Sequence, residues 1–195
     1  MAWGPLPVET VDRIRSLDAR AIRGNADRDL DDEWLEQQLG PERLEWLTSR
    51  PEQLELEVEG LGRLLFCHGS PRSDEEMLLK TTPEEQLAEL LDGVDADVVV
   101  CGHTHMQFDR TVGSKRVVNA GSVGLAYGAR GAHWVELGPD VVHRRIEYDP
   151  SPLRGSGWPR AQEILAVIES PPSEEKAIAE FEALIEAGRD ATLVE

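Results

Sequence analysis

The sequence predicts a mixed α/β fold in which helices cover layers of β-sheet, and two observations predict it. Short apolar runs typical of buried strands alternate with stretches of helical periodicity through much of the chain. The later part contains paired strand-like runs joined by glycine-containing turns, which are typical of antiparallel hairpins. This order of elements favours an α/β sandwich with helices on its outer faces.

The first quarter of the chain is predicted to be mainly helical. Apolar residues recur at helical spacing between residues 8 and 17. The segment ARAIRGN (19–25) has the pattern of a short strand that runs into a Gly-Asn turn. A polar, helix-favouring region follows from Asp29 to Thr48, and Gly40-Pro41 predicts a break within it.

The middle of the chain predicts a hairpin, a helix and a buried strand. In QLELEVEGLGRLLFCHGS (53–70), apolar residues alternate with acids, a glycine-containing turn follows, and RLLFC reads as a buried strand. TPEEQLAELLDGV predicts a helix with a capping box formed by Thr82 and Glu85. ADVVVC (96–101) is the next predicted strand.

The remaining segments predict two more strand pairs and a helical C-terminus. QFDRTVGSKRVVN (107–119) has the pattern of a hairpin, and AHWVEL and VVHRRIEY form another pair around Gly138-Pro139. A linker then leads to two helices, predicted at 160–169 and 173–187. We therefore expect a core unit at residues 1–149 and a linker with C-terminal helices at 150–195.

Composition restricts the classes of partner. The formal charge of −18 opposes non-specific binding to nucleic acid or to an anionic membrane, because such binding needs clustered Lys and Arg. An anionic substrate would need a local positive centre, which a bound metal would supply. The alternative is that the acidity is a solvated surface that serves solubility. No apolar run approaches the roughly 20 residues needed to span a bilayer.

The two cysteines and the N-terminus indicate a cytoplasmic protein. Cys67 and Cys101 each end an apolar run, which is typical of buried free thiols and not of a disulfide framework. The first ten residues, MAWGPLPVET, have neither the basic nor the apolar region of a signal peptide. The two cysteines could instead bind metal, but the favoured interpretation is that both are small hydrophobic residues of the core.

Three polar turns follow predicted strands, namely Gly24-Asn25, His68-Gly69 and Gly102-His103-Thr104-His105. In open α/β folds the carboxyl ends of the strands converge on the ligand-binding crevice, so we expect the three turns to meet. Imidazole nitrogens and an amide oxygen are good ligands for Mn, Fe, Co, Ni and Zn. For His103 and His105 the alternative is the capping of a strand end by polar residues, and for Asn25 it is a turn residue in the left-handed conformation after Gly24.

The segments RGNAD, FCHGSP, CGHTH and VVNAGSVG, in this order and these strand contexts, resemble the calcineurin-like metallophosphoesterases. The small bacterial phosphodiesterase-type members are the nearest in pattern, and the resemblance runs from about Trp3 to Tyr148. It implies an αββα sandwich that carries a two-metal centre and hydrolyses phosphodiesters or phosphomonoesters with a metal-activated water. A small phosphorylated molecule would be the substrate.

The resemblance also implies roles for individual residues. Asn25, His68 and His103 would bind one metal ion and His105 the other, so that these four residues are both metal ligands and catalytic residues. Mn is the favoured metal, and Fe, Ni and Zn suit the same ligands. In the substrate site, the amide of Asn25 and the loop residues Gly121 and Ser122 would contact the phosphate, although NAGSVG could equally be a tight structural loop.

The sequence departs from the family pattern in two places. Ala26 stands where the family's Gly-Asn-His-Asp/Glu element has histidine. The family's Asp-x-His and Gly-Asp elements do not precede WGPLP, and they belong to a strand–helix–strand unit of roughly 30 residues. We therefore expect Met1 to be an internal residue or the chain to be a fragment, and we expect weak or no hydrolysis by the chain as printed.

Two other functions remain open from the sequence. A degenerate, non-catalytic relative would bind a ligand or a partner and would form a homo-oligomer to cover an exposed sheet edge. A purely structural His/Asn metal site is the other, but structural zinc favours four closed ligands that include cysteines. His133 and His143 fall within strand-like stretches and are expected to be structural.

Overall fold

The computed structural model describes residues 3–30 and 32–188. Residues 1, 2 and 31 of the first predicted unit and residues 189–195 of the second lie outside the described residues. The helices are α1 (Pro7–Ser16), α2 (Asn25–Arg28), α3 (Glu33–Thr48), α4 (Glu84–Leu91), α5 (Ala161–Glu169) and α6 (Glu174–Glu186). The strands are β1 (Leu54–Val58), β2 (Gly62–Phe66), β3 (Val98–Cys101), β4 (Phe108–Val112), β5 (Lys115–Asn119), β6 (Ala132–Leu137) and β7 (Val141–Ile146).

A five-stranded mixed sheet forms the centre of the molecule, with the strand order β1-β2-β3-β5-β4. The inner strands β2, β3 and β5 are parallel, and the hairpin partners β1 and β4 run antiparallel at the two edges. Strands β6 and β7 form a separate antiparallel sheet. The predicted hairpins and the predicted mixed α/β fold are confirmed.

Alternation along β3 explains how the layers pack. Because successive strand side chains point to opposite faces, Val98 and Val100 lie on one face and Val99 and Cys101 on the other. The first pair joins a buried cluster with side chains of the β6–β7 sheet, including Val135. The second pair packs with the leucines of α4. The central sheet is therefore enclosed between α4 and the two-stranded sheet.

The helices outside this sandwich form two further clusters. Helix α1 packs on α3 through a cluster that includes Val11 and Leu39. The predicted break in α3 is confirmed, because Gly40 has φ 67° and ψ 169° immediately before Pro41. Helices α5 and α6 bury their apolar faces against the loops that precede α4 and follow β5. No helix among the described residues has the length and apolar character needed to cross a bilayer.

Two local predictions are wrong. The segment 19–25 forms no strand, because it has no strand partner in either described sheet and its backbone instead donates from Arg23 N–H to the Pro51 carbonyl at 2.9 Å. The predicted capping box at Thr82 is absent, since Pro83 occupies the N-cap of α4 and no side chain caps it. The Thr82 hydroxyl accepts the Leu79 N–H at 2.9 Å instead.

Candidate metal centre

Parallel pairing of the inner strands brings the polar turns together at the carboxyl ends of these strands. The ladder continues past the strand ends, because Gly102 N–H donates to the His68 carbonyl at 2.9 Å and Ala120 N–H donates to the Cys101 carbonyl at 3.0 Å. The turns after β2, β3 and β5 are therefore held side by side. This is the arrangement expected from the sequence for the second and third turns.

The His-x-His turn has an unusual backbone. His103 and His105 both adopt the left-handed conformation, with φ of 63° and 58°. Such conformations in non-glycine residues cost on the order of 1–3 kcal/mol each and persist where the surrounding structure enforces them. Between them Thr104 is fully buried and its hydroxyl donates to the Leu78 carbonyl at 3.1 Å. The turn is thus fixed by its central residue, and both imidazoles project from a constrained backbone.

Asn119, at the end of β5, joins this turn to the following loop. Its side-chain N–H groups donate to the Gly102 carbonyl at 2.6 Å and to the Thr104 hydroxyl at 3.1 Å. Its side-chain oxygen accepts the Gly121 N–H at 2.9 Å. The side chain is fully buried, so these hydrogen bonds form without competition from water. In the sequence, the place of Asn119 within the segment VVNAGSVG is the signal that could have identified it.

The first polar turn also reaches the site. A Cβ atom on Gly24 would lie 2.7 Å from the ring of His68, so only glycine allows the backbone to approach this closely. The ring of His68 in turn lies 4.9 Å from that of His103, centroid to centroid. Half-buried Asn25 begins α2 directly after this contact. The structure therefore gathers all three turns, as the sequence predicted.

Asp27 is a buried carboxylate beside this group. It lies in α2, is almost completely buried, and accepts the Gly24 N–H at 3.0 Å. Its negative charge acts on His68, where it favours the protonated imidazole. In the sequence, Asp27 stands at the last position of the Gly-Asn-His-Asp/Glu element within RGNAD, and no role was predicted for it.

Burial keeps His68 and His105 neutral. It lowers the pKa of His68 to about 3, and the neighbouring imidazole of His103 lowers that pKa further. Burial likewise lowers the pKa of His105 to about 4, again assisted by His103. A neutral imidazole has a free lone pair, so these rings are in the protonation state that metal ligation requires.

The loop that precedes α4 contacts the candidate site at the ring of His103. The Glu75 carbonyl lies 3.1 Å from Nε2 of His103. Arg28, at the end of α2, holds this loop through ion pairs with Asp74, at 2.5 Å, and with Glu75. The role of Arg28 was not predicted, because its position among acidic residues gives no signal of it in the sequence.

The loop after β5 is tightly packed. The Gly121 N–H is already bonded to Asn119, and a Cβ on Gly121 would come within 2.8 Å of Gln107 and His133. The Ser122 hydroxyl accepts the Leu125 N–H at 3.0 Å. These contacts favour the structural role that the sequence left open. Phosphate binding by Gly121 and Ser122 stays a prediction.

Imidazole nitrogens are atoms of a type that divalent cations bind. Nδ1 of His105 is buried and has no hydrogen-bond partner among the described residues, and a buried polar atom without a partner is costly unless something binds it. As placed, no three His, Cys, Asp or Glu side chains of residues 3–30 and 32–188 lie close enough together to hold a metal ion. The turns therefore bring imidazole side chains together without a complete set of metal ligands among the described residues.

The two cysteines lie beside the site but belong to the core. Cys67 and Cys101 are free and buried, and both pack in the cluster under α4. Burial raises the pKa of the Cys67 thiol to about 12 and that of Cys101 well above its ordinary value. Protonated thiols are poor metal ligands. The interpretation of both residues as small core hydrophobes is confirmed.

Comparison with known proteins identifies the family. The calcineurin-like phosphoesterase superfamily domain matches residues 5–137 of the chain, which include every turn of the site. The chain belongs to this superfamily. A search of curated proteins gave no match.

Solved structures confirm the fold. The chain is similar to a hypothetical protein from Pyrococcus horikoshii, with 17% identity, a TM-score of 0.69, and coverage of 83% of this chain and 77% of that one. It is also similar to a metallophosphoesterase from Sphaerobacter thermophilus, with 22% identity, a TM-score of 0.65, and coverage of 86% and 83%. At these identities the likeness shows the metallophosphoesterase fold.

Proposed function

We propose that this protein is a metal-dependent phosphoesterase that hydrolyses phosphodiester or phosphomonoester bonds. Membership of the superfamily supports the reaction class. The observation that carries the proposal is the 4.9 Å approach of the His68 and His103 rings, which come from different strands. Imidazoles brought together in this way, with the buried Nδ1 of His105 lacking a partner among the described residues, are suited to binding a cation.

Asn25, His68 and His103 would hold one divalent cation and His105 a second. Mn is the favoured metal, and Fe, Ni and Zn suit the same donors. When bound, such a metal pair polarises a phosphoryl oxygen and supplies an activated water as nucleophile. The cations would also supply the positive centre that an anionic substrate needs on a chain of formal charge −18.

The chain's own residues prepare this site in three ways. Burial keeps the lone pairs of His68 and His105 free. The side chain of Asn119 fixes the turn that carries His103 and His105. Asn25 would orient the substrate phosphate, and phosphate contact by the Gly121–Ser122 loop is a prediction that the internal hydrogen bonds of this loop disfavour. A small phosphorylated substrate and a cytoplasmic setting are parts of the same proposal.

Metal binding tests the proposal directly. We expect Mn²⁺ titrated into the metal-stripped protein to give measurable heat in calorimetry, and His103→Ala to weaken that binding at least about tenfold, since it removes a ligand. His143→Gln is the matched control, because it removes an imidazole outside the predicted ligand set and keeps a donor for the Asn119 carbonyl. Equal Mn²⁺ affinity in the wild type and in His103→Ala would refute the assigned ligands.

Hydrolysis provides the second measurement. We expect the chain as printed to hydrolyse a chromogenic phosphodiester weakly or not at all in Mn²⁺, since the family's Asp-x-His and Gly-Asp elements do not occur in it. Turnover that disappears in His103→Ala would overturn that expectation and would establish the reaction at this site. Turnover equal in both proteins would exclude these residues from catalysis.

The second candidate is a non-catalytic relative that binds a ligand or a second copy of itself. The observation that favours it is that no three acidic, histidine or cysteine side chains in the described part of the chain are close enough to share a metal. Ala26, in place of the family's histidine, points the same way. This candidate predicts at most one loosely held Mn²⁺ ion, no turnover, and a sedimentation coefficient larger than that of a 21.7 kDa monomer.

A further inference from the structure

The outer face of the β6–β7 sheet is rich in exposed apolar side chains. Because side chains alternate along a strand, the neighbours of the inward-facing Val135 and Val141 point away from the central sheet. The exposed large hydrophobic residues on this outer face or directly after β7 are Trp134, Val142, Ile146 and Tyr148. These four, which we call the outer patch, are half of the eight that the described chain exposes. Apolar surface residues are normally scattered singly, so their grouping here indicates an interaction surface.

Strand β7 forms an open edge of the same sheet. Apart from its ladder with β6, β7 makes no backbone-to-backbone hydrogen bond within the described part of the chain. Strand β6 differs, because the His133 N–H donates to the Ser122 carbonyl at 2.9 Å and joins the other edge to the loop after β5. An edge strand presents a row of N–H and C=O groups to any strand that lies beside it. The sheet is therefore open to extension at β7.

The charges at this edge favour a second copy of the same strand as the partner. In the sequence, Ile146 lies between Arg145 and Glu147. If two copies pair antiparallel around a twofold axis at Ile146, Arg145 lies opposite Glu147 of the partner subunit, and the reverse pair forms as well. An axis at Arg144 or Arg145 would instead place an arginine opposite its own copy, which is destabilising. Within one copy, Arg145 and Glu147 are exposed and lie 3.7 Å apart, nitrogen to oxygen.

The same axis covers the most exposed apolar side chain of β7. Ile146 is 63% exposed, and on the axis it faces Ile146 of the partner subunit. Two residues along the same face, Arg144 lies opposite Tyr148 of the partner subunit, where a guanidinium can stack on an aromatic ring. Backbone pairing, charge and apolar contact therefore agree on one register.

We propose that two copies of this chain associate edge to edge through β7, antiparallel, with the twofold axis at Ile146. The two β6–β7 sheets then form one continuous sheet, and the two outer patches lie side by side on it. The association involves none of the residues of the candidate metal centre, so it goes beyond the proposed function and is independent of it. A dimer alone therefore does not favour the non-catalytic candidate, which metal binding and turnover decide.

Sedimentation equilibrium of the full chain measures the association. A contact of one short strand is small, so we expect a dissociation constant above about 1 µM. The average mass should then rise from 21.7 kDa towards twice that value between about 1 µM and about 1 mM protein. Salt at about 0.15 M screens the repulsion between distant charges of the two acidic chains and leaves charges in contact less affected.

Charge variants at the edge test the register. Arg145→Glu and Glu147→Arg each place like charges across the axis twice, so we expect each to weaken the dimer at least about fivefold. The double variant Arg145→Glu/Glu147→Arg restores opposite charges across the axis, and its affinity should return to within about twofold of wild type. Lys176→Glu is the matched control, because it makes the same change of charge at an exposed position of α6. If Arg145→Glu fails to fold, Glu147→Arg, at the more exposed of the two positions, carries the test.

Cross-linking tests the axis directly. Residues directly opposite each other in an antiparallel pair have Cβ atoms about 4.5–5.5 Å apart, close enough for a disulfide after a small adjustment. We expect Ile146→Cys, treated with oxidised glutathione, to give a disulfide-linked dimer on a denaturing gel. Val142→Cys is the matched control, since it is exposed on the same face of β7 but lies away from the axis. The native thiols of Cys67 and Cys101 are buried, so the wild type should remain unlinked.

The outcomes are separate from those for the metal centre. A mass of 21.7 kDa at every concentration would overturn the proposal, and so would a dimer that both single charge variants leave unchanged. Cross-linking through Val142→Cys in place of Ile146→Cys would overturn the register, because it would indicate an axis at Val142. A fivefold loss shared by Lys176→Glu would overturn the role of the edge charges. Failure of the wild type to bind Mn²⁺ would refute the proposed function and would leave each of these results unaffected.

Discussion

Acidification should destabilise this protein well above the pH at which carboxyl groups titrate. His68 and His105 have pKa values of about 3 and about 4 in the folded chain, against an ordinary value of 6.5. As the pH falls below 6.5, the unfolded chain binds protons at these histidines and the folded chain does not. Stability therefore rises with pH in this window and is complete above about pH 6.5.

The size of the effect follows from the linkage between protonation and unfolding. Each histidine contributes about 1.4 kcal/mol for every pH unit between its two pKa values. From pH 6.5 to 5 the two histidines together should lower the free energy of unfolding by up to about 4 kcal/mol. That is a large share of the roughly 5–15 kcal/mol that stabilises an ordinary domain.

Urea denaturation in the presence of a chelator measures this directly. We expect the free energy of unfolding to fall steeply between pH 7 and pH 5 in the wild type. The double variant His68→Gln/His105→Gln cannot titrate at these positions, so most of the dependence should disappear. A flat profile in the wild type would refute the reasoning, and so would an equally steep profile in the double variant.

Two further predictions concern the residues that shape the site. Asn119→Ala leaves the Gly102 carbonyl and the Thr104 hydroxyl without a buried partner, so we expect a loss of about 3 kcal/mol in the free energy of unfolding. A loss below about 1 kcal/mol in urea denaturation would contradict the role of this side chain. Gly24→Ala places a methyl group 2.7 Å from the ring of His68 in a backbone region open to alanine. We expect it to weaken Mn²⁺ binding about tenfold in calorimetry, and unchanged affinity would exclude this contact from the site.

The elements that the sequence predicted correctly are those in which local pattern and tertiary packing agree. All four residues of β3 are buried, so both faces of this strand need apolar side chains. The continuous apolar run in ADVVVC supplies them, as is typical of a strand that is buried on both faces. The two predictions that failed concern segments whose hydrogen bonds go to groups that the local pattern does not specify. A strand at 19–25 needs a neighbouring strand, which neither described sheet provides. A cap at Thr82 needs its side-chain hydroxyl, and that hydroxyl already accepts the Leu79 N–H.

Within the site, the sequence by itself determined the chemistry: the residue types, the order of the turns and the family pattern that joins them. These are local properties, and spacing along one chain is enough to express them. Only the tertiary structure decided how the side chains are held, because those contacts cross between separate elements. The burial that neutralises His68, the hydrogen bonds of Asn119 and the ion pairs of Arg28 with the loop before α4 all depend on distances in space, which no short stretch of sequence contains.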